Sequence, residues 1–170
     1  MERSRRETAK AVVELIILVG LQASGKSTFV RERFEASHTI VSKDNFRNNR
    51  RPARRQLQLV ADALRAGQSV VVDNTNPTRE TREGLIKLAR EQGAAVVGYY
   101  LSSSAADCLL HNSLRLGREK VPEVAIYATA KQLVRPSLDE GFDELHFVKI
   151  GRSGFVVEPF REEWDEKRGP

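Results

Sequence analysis

Gly20-Leu21-Gln22-Ala23-Ser24-Gly25-Lys26-Ser27-Thr28 stands between two segments of different character. Before it runs Val12-Val13-Glu14-Leu15-Ile16-Ile17-Leu18-Val19, β-branched and nearly continuous in apolar residues, the pattern of a strand buried in a parallel sheet. After it, Phe29 to Glu35 continues as a helix. Strand, G-x-x-x-x-G-K-S and helix, in that order, are the context of a phosphate-binding loop. Gly20 and Gly25 permit backbone conformations that a side chain would block. The N–H groups along Gln22, Ala23 and Ser24 then turn inward on phosphate oxygens, and the helix start adds its positive end. Lys26 supplies a point charge toward the β- and γ-phosphates, the Ser27 hydroxyl is placed to ligate Mg²⁺, and Thr28 closes the loop. ATP and Mg²⁺ are the expected cofactors. The plainer reading, a glycine-rich turn before a helix, does not explain the matched positions and both flanks together.

Composition bounds the rest. The 170 residues suit one domain. One cysteine, Cys108, excludes an intrachain disulfide and a cysteine-based zinc site, which suits a reducing, cytoplasmic setting. No run approaches the ~18 apolar residues of a membrane span. The arginines of residues 1–11 before an apolar run superficially resemble a leader, but Glu14 interrupts the run and cleavage would cut the phosphate loop. From Lys43 to Arg55, six cations (Lys43, Arg47, Arg50, Arg51, Arg54, Arg55) face one acid, Asp44, so this block alone equals the chain's net charge of +5. Such a block suits a phosphate-bearing polymer; alone it would read as a solvated loop.

Along the chain, residues 1–11 form a basic arm, 12–160 the domain and 161–170 a charged tail in which Trp164 is the one docking candidate. Strands are expected over 12–19, 38–41, 69–73, 94–101 and 144–150, with a short edge strand over 154–157. Helices are expected over 26–36, 52–65, 77–92, 104–116 and 122–134, their limits marked by Pro52, Gly67, Pro77, Gly93, Ser104 with Asp107, and Pro122. Alternating strands and helices imply an α/β fold: a mostly parallel sheet of about five strands with right-handed crossovers and helices on both faces. Loops after strands meet at one edge, where ligands of such sheets bind.

That edge gathers candidate chemistry. Asp44 can accept a proton from an attacking hydroxyl, and Arg47 can hold the acceptor, with Arg51 and Arg54 extending the substrate-binding surface. Asp73 closes an apolar strand in the position of a Walker B acid, oriented to Ser27 or a metal-bound water. Arg115 and Arg118 flank Gly117 in a polar break and can clamp a triphosphate. Each has a plainer reading: a turn or cap for Asp44 and Asp73, a dipole-matching helix end for the arginines. His111, one turn before Arg115, reads as structural.

Assembled, these residues resemble the kinase domain of 5′-hydroxyl polynucleotide kinases, and in particular that of the animal polynucleotide kinase/3′-phosphatases. The resemblance spans roughly Leu15 to Phe147. It rests on the phosphate loop, Ser42-Lys43-Asp44-x-x-Arg47, Val72-Asp73-Asn74-Thr75-Asn76-Pro77, His111-Asn112-x-x-Arg115-x-x-Arg118, and Val121-Pro122 leading to Tyr127, Lys131, Pro136 and Glu140-Gly141-Phe142. It implies Asp44 as the base for a 5′-hydroxyl, Arg47 on the acceptor phosphate, Lys26 and Ser27 on ATP and Mg²⁺, Arg115 as the lid arginine and Asp73 as an essential acid. Asn74 and Asn76 would shape the turn. It further implies a P-loop kinase fold with a helical lid, DNA or RNA ends as substrate, end repair as the setting and repair ligases among partners. The phage enzyme carries arginine where His111 stands. The phosphatase pattern D-x-D-x-T/V is absent from this sequence, so a kinase without 3′-phosphatase activity is expected. A small-metabolite kinase and a nucleotide-gated, nucleic-acid-binding ATPase are the competing readings.

Overall fold

The computed structural model describes residues 11–161; the expectations for residues 1–10 and 162–170, Trp164 included, lie outside them. Six strands form one sheet: β1 (Glu14–Val19), β2 (Thr39–Val41), β3 (Val70–Val72), β4 (Ala95–Leu101), β5 (Glu144–Gly151) and β6 (Gly154–Pro159). Their order is β2-β3-β1-β4-β5-β6. The first five strands in that order run parallel, and β6 returns antiparallel on β5. The five α-helices are α1 (Lys26–Phe34), α2 (Pro52–Arg65), α3 (Arg79–Glu91), α4 (Ala105–Ser113) and α5 (Glu123–Gln132).

The apolar run of β1 explains the layering. Alternate side chains of a strand point to opposite faces. Leu15, Ile17 and Val19 accordingly join Val60 and Leu64 of α2 and Leu85 and Ile86 of α3 on one face. Ile16 and Leu18 meet Phe29 and Val30 of α1 and Phe155 of β6 on the other. A smaller cluster joins Leu21 and Ala23 of the phosphate loop to Cys108 of α4 and Ile126 of α5. The two lid helices are thus packed onto the loop itself. Among the described residues, no helix is long and apolar enough to cross a membrane.

The mostly parallel α/β sheet agrees with the sequence reading. The departures are local. The stretch after β2, expected as plain loop, begins with a 3-10 turn over Lys43–Phe46. The Ser42 hydroxyl accepts from the Asp44 N–H and so starts that turn. α4 stops at Ser113 rather than continuing to 116. Asn112 ends it, because its side chain bonds both the N–H and the carbonyl of Val121 and folds the chain back. The edge strand β6 is longer than expected and pairs along β5 from Gly151 to His146.

Candidate active site

The phosphate loop follows β1 directly. Gly25 has φ 92° at the start of α1, a left-handed conformation that glycine adopts without cost. A Cβ on Gly20 would lie 2.9 Å from the Leu101 carbonyl oxygen, so no larger residue fits there. Ala23 also has positive φ, 61°, in spite of its Cβ. Gln22, Gly25, Lys26, Ser27 and Thr28 line a cleft of about 750 Å³.

Lys26 is only 7 % exposed. Its ammonium donates to the carbonyls of Gly20, at 2.9 Å, and Leu21, and approaches Ser24 Oγ at 3.3 Å. Burial lowers its pKa to about 8, against the pull of the Asp73 carboxylate. Ser24 is buried as well.

Asp73 follows β3, and its Oδ2 accepts from Ser27 Oγ at 2.7 Å. Burial raises the Asp73 pKa, opposed by the Ser27 hydrogen bond and then by Lys26. Ser27 and Asp73 present hard oxygen donors side by side. That suits Mg²⁺, which takes few protein ligands and fills its shell with water and phosphate oxygens. Among the described residues there is no group of three or more metal-ligating His, Cys, Asp or Glu side chains. This pair of hard oxygens fits magnesium.

The turn after Asp73 is tightly tied. Asn74 Oδ1 accepts from the Lys43 N–H at 3.0 Å, and its amide donates to the buried Gln56. Asn76 is buried, has φ 41°, and donates to the Leu18 carbonyl at 2.7 Å. The Gly20 N–H donates to the Thr75 carbonyl at 3.1 Å. Both asparagines therefore hold backbone, one toward the 43–46 turn and one toward β1. Gln56 carried no signal in sequence, because a glutamine on a helix normally faces water.

The 43–46 turn sets Asp44 and Arg47 on the same cleft as Lys26, Ser27 and Asp73. Asp44 is exposed to solvent and pairs with Arg47 at 3.4 Å. Arg51 and Arg54 do not line the cleft; they stand exposed at the start of α2, beyond Arg47. Arg115 and Arg118 do line it, from the segment after α4. Arg115 donates to the Glu119 carbonyl at 3.1 Å, so it belongs to a folded lid segment rather than a loose helix end.

Two bonds between loop and lid were not legible in sequence. Gln22 donates to Thr129 Oγ1 of α5 at 2.9 Å, and His111 Nδ1 lies 3.2 Å from the Ala23 carbonyl. The phosphate loop is thus bonded to both lid helices.

Sheet order, phosphate loop, adjacent acid and helical lid together define a P-loop kinase fold. The chain belongs to the AAA domain family, whose model matches residues 15–136. The bifunctional polynucleotide phosphatase/kinase of Schizosaccharomyces pombe is 30% identical over 141 residues, covering 79% of this chain and 33% of that protein. The transcription factor bHLH140 of Arabidopsis thaliana is 30% identical over 152 residues, covering 83% of this chain and 16% of that protein. The chain therefore spans a third or less of the length of these relatives. A sugar kinase from Janibacter superposes with a TM-score of 0.62 at 17% identity, over 81% of this chain and 85% of that one, a likeness of fold.

Proposed function

We propose that the protein transfers the γ-phosphoryl group of ATP to the 5′-hydroxyl end of DNA or RNA, in end repair. The observation that carries this reading is the second half of the cleft. Asp44 and Arg47 open onto the same space as Lys26, Ser27 and Asp73, and the exposed arginines of α2 begin immediately beyond them. A phosphate-bearing polymer fits that continuation better than a compact metabolite does. The name of the S. pombe relative supports the same reading.

In the proposed reaction Asp44 takes the proton of the 5′-hydroxyl, and the freed oxygen attacks the γ-phosphorus in line. The bond from the γ-phosphorus to the bridging β–γ oxygen breaks, and ADP leaves. Arg47 releases Asp44 and turns to the acceptor phosphate. Lys26 and Arg115 lie along the charge that develops on the transferring group. Ser27 and Asp73 would hold Mg²⁺, which would supply charge neutralisation at the triphosphate. Arg118 adds a second lid cation over the nucleotide.

Transfer of label from γ-labelled ATP to a 5′-hydroxyl oligonucleotide tests the proposal, with repair ligases as candidate users of the product. Labelled ends are expected, and an unlabelled oligonucleotide in the presence of folded, ATP-bound protein rejects it. Asp44→Ala is expected to lower turnover by ~10²–10⁴ while ATP binding persists. The sugar kinase likeness favours a second reading, a small-metabolite acceptor. A flat salt dependence of acceptor affinity would select it; a steep one selects a polymer.

A further inference from the structure

Arg82 is the largest side chain that is fully buried in the described residues. It lies in the first turn of α3, within the charged run Arg79-Glu80-Thr81-Arg82-Glu83. Its Nε and Nη2 donate to the two carboxylate oxygens of Glu140 at 2.7 and 2.8 Å. Its Nη1 donates to the Asn76 carbonyl at 2.9 Å. Glu140, whose side chain is 3 % exposed, also accepts from the Ser137 N–H at 3.1 Å.

Stability alone does not account for such a pair. Desolvating two charges costs about as much as their attraction returns, and well-packed apolar residues in their place are often as stable or more so. The position of the pair offers another account. The guanidinium grips the backbone of the 73–77 turn at Asn76, whose amide is bonded in turn to Leu18 just before the phosphate loop. One residue further on, the Pro77 carbonyl accepts from the Val134 N–H, just past the end of α5, at 2.7 Å. Glu140 lies on the segment that follows. The pair therefore sits where three things meet: the acidic turn that aims Asp73 at Ser27, the strand feeding the phosphate loop, and the chain leaving the lid.

We propose that Arg82 and Glu140 are positioning residues, which set the 73–77 turn so that Asp73 holds Ser27, and which tie that setting to the exit of α5. The proposal rests on the reading that Ser27 and Asp73 carry the metal of a bound nucleotide. Neither residue touches the reacting atoms; both act through the Asn76 carbonyl and the turn it belongs to. Removing the pair leaves nucleotide binding by the loop amides intact and loosens the acid.

The test replaces both charges together, Arg82→Met with Glu140→Leu, so that no lone ion is buried. Melting temperature, ADP affinity without Mg²⁺, the Mg²⁺ concentration that half-saturates ATP binding, and kcat with a 5′-hydroxyl oligonucleotide are compared with the parent. Melting temperature and Mg²⁺-free ADP affinity are expected to hold. The Mg²⁺ midpoint should rise and kcat fall by ~10–100-fold, the usual cost of losing a group that orients a metal ligand. A variant as stable as the parent, with an unchanged Mg²⁺ midpoint and unchanged kcat, overturns the proposal. Glu140→Gln keeps the shape and the Ser137 bond, and it decides the matter if the double variant does not fold: a raised Mg²⁺ midpoint supports the proposal, whereas a parental midpoint or loss of folding here too makes the pair a stability element alone. The Mg²⁺ titration needs no acceptor, so a parent that labels no oligonucleotide counts against the proposed function and not against the pair.

Discussion

Lys26 shows how burial shapes chemistry in a single side chain. Desolvation holds its pKa at about 8, below the ordinary 10.5, although Asp73 pulls the other way. Between those values the folded lysine is neutral while the unfolded one is charged, so the unfolded chain binds more protons. Stability of the nucleotide-free protein therefore rises with pH across that window, and the cost of the buried charge is fully present below about 8. Triphosphate would reverse the preference by stabilising the ammonium. Nucleotide affinity is expected to fall as pH rises above 8, with proton uptake on binding. Calorimetry in two buffers of different ionisation enthalpy measures that uptake, and Lys26→Met should abolish it. The existence of the lysine was readable from G-x-x-x-x-G-K-S. Its burial was not, because that depends on Leu21, Gly20 and Ser24 folding over it.

Among the secondary structure elements, α2 carries the clearest conflict. Its first turn holds no acid, and Arg51, Arg54 and Arg55 crowd the positive end of its dipole. Replacing Arg51 and Arg54 by glutamine should stabilise the protein by ~0.3–1 kcal/mol in denaturant melts. The same change should weaken an oligonucleotide acceptor and reduce the slope of log affinity against log salt by about 1.4, at ~0.7 for each single-strand phosphate left without its cation. A variant no more stable than the parent, with an unchanged slope, would show that these arginines serve no anion. α4 and the lid segment depend instead on Asn112. Its two bonds to Val121 close the 113–120 segment that carries Arg115. Asn112→Ala leaves two backbone groups without those partners and is expected to cost about 1–3 kcal/mol. It should also weaken ATP, read by nucleotide titration, more than it weakens ADP. The cap at Ser104 was visible in sequence; the Thr78 cap, which starts α3 at Arg79 rather than at the expected Pro77, was not, nor was the early end of α4, since a fold-back bond to a residue nine positions on has no local signal.

Over the whole molecule, the sheet brings four post-strand segments to one edge, and the lid closes on the phosphate loop through Gln22 with Thr129 and His111 with Ala23. Ligand that binds only this folded arrangement should raise the melting temperature, by about 2.7 kcal/mol of stability at a hundredfold excess over Kd. Mg²⁺-ATP is expected to do so more strongly than Mg²⁺-free ADP, a difference that scanning calorimetry resolves.

What could be read directly from the residue order was whatever follows from local pattern. The apolar run before Gly20, the loop spacing and the proline and glycine boundaries sufficed for the parallel α/β architecture; Asp44, Arg47 and Asp73 stood out by where they fall relative to strands, and Arg115 by the polar break around Gly117. What three dimensions decided was the placement of polar groups with no local rule. Arg82 and Glu140, 58 positions apart, meet beneath a turn. Gln56 turns inward to meet Asn74, while Arg51 and Arg54 lie outside the cleft that Arg47 enters. Helical and strand periodicities are set by the backbone within a few residues. A buried polar side chain is set by whichever distant donor or acceptor the packed chain brings within about 3 Å of it, and only the folded molecule supplies that partner.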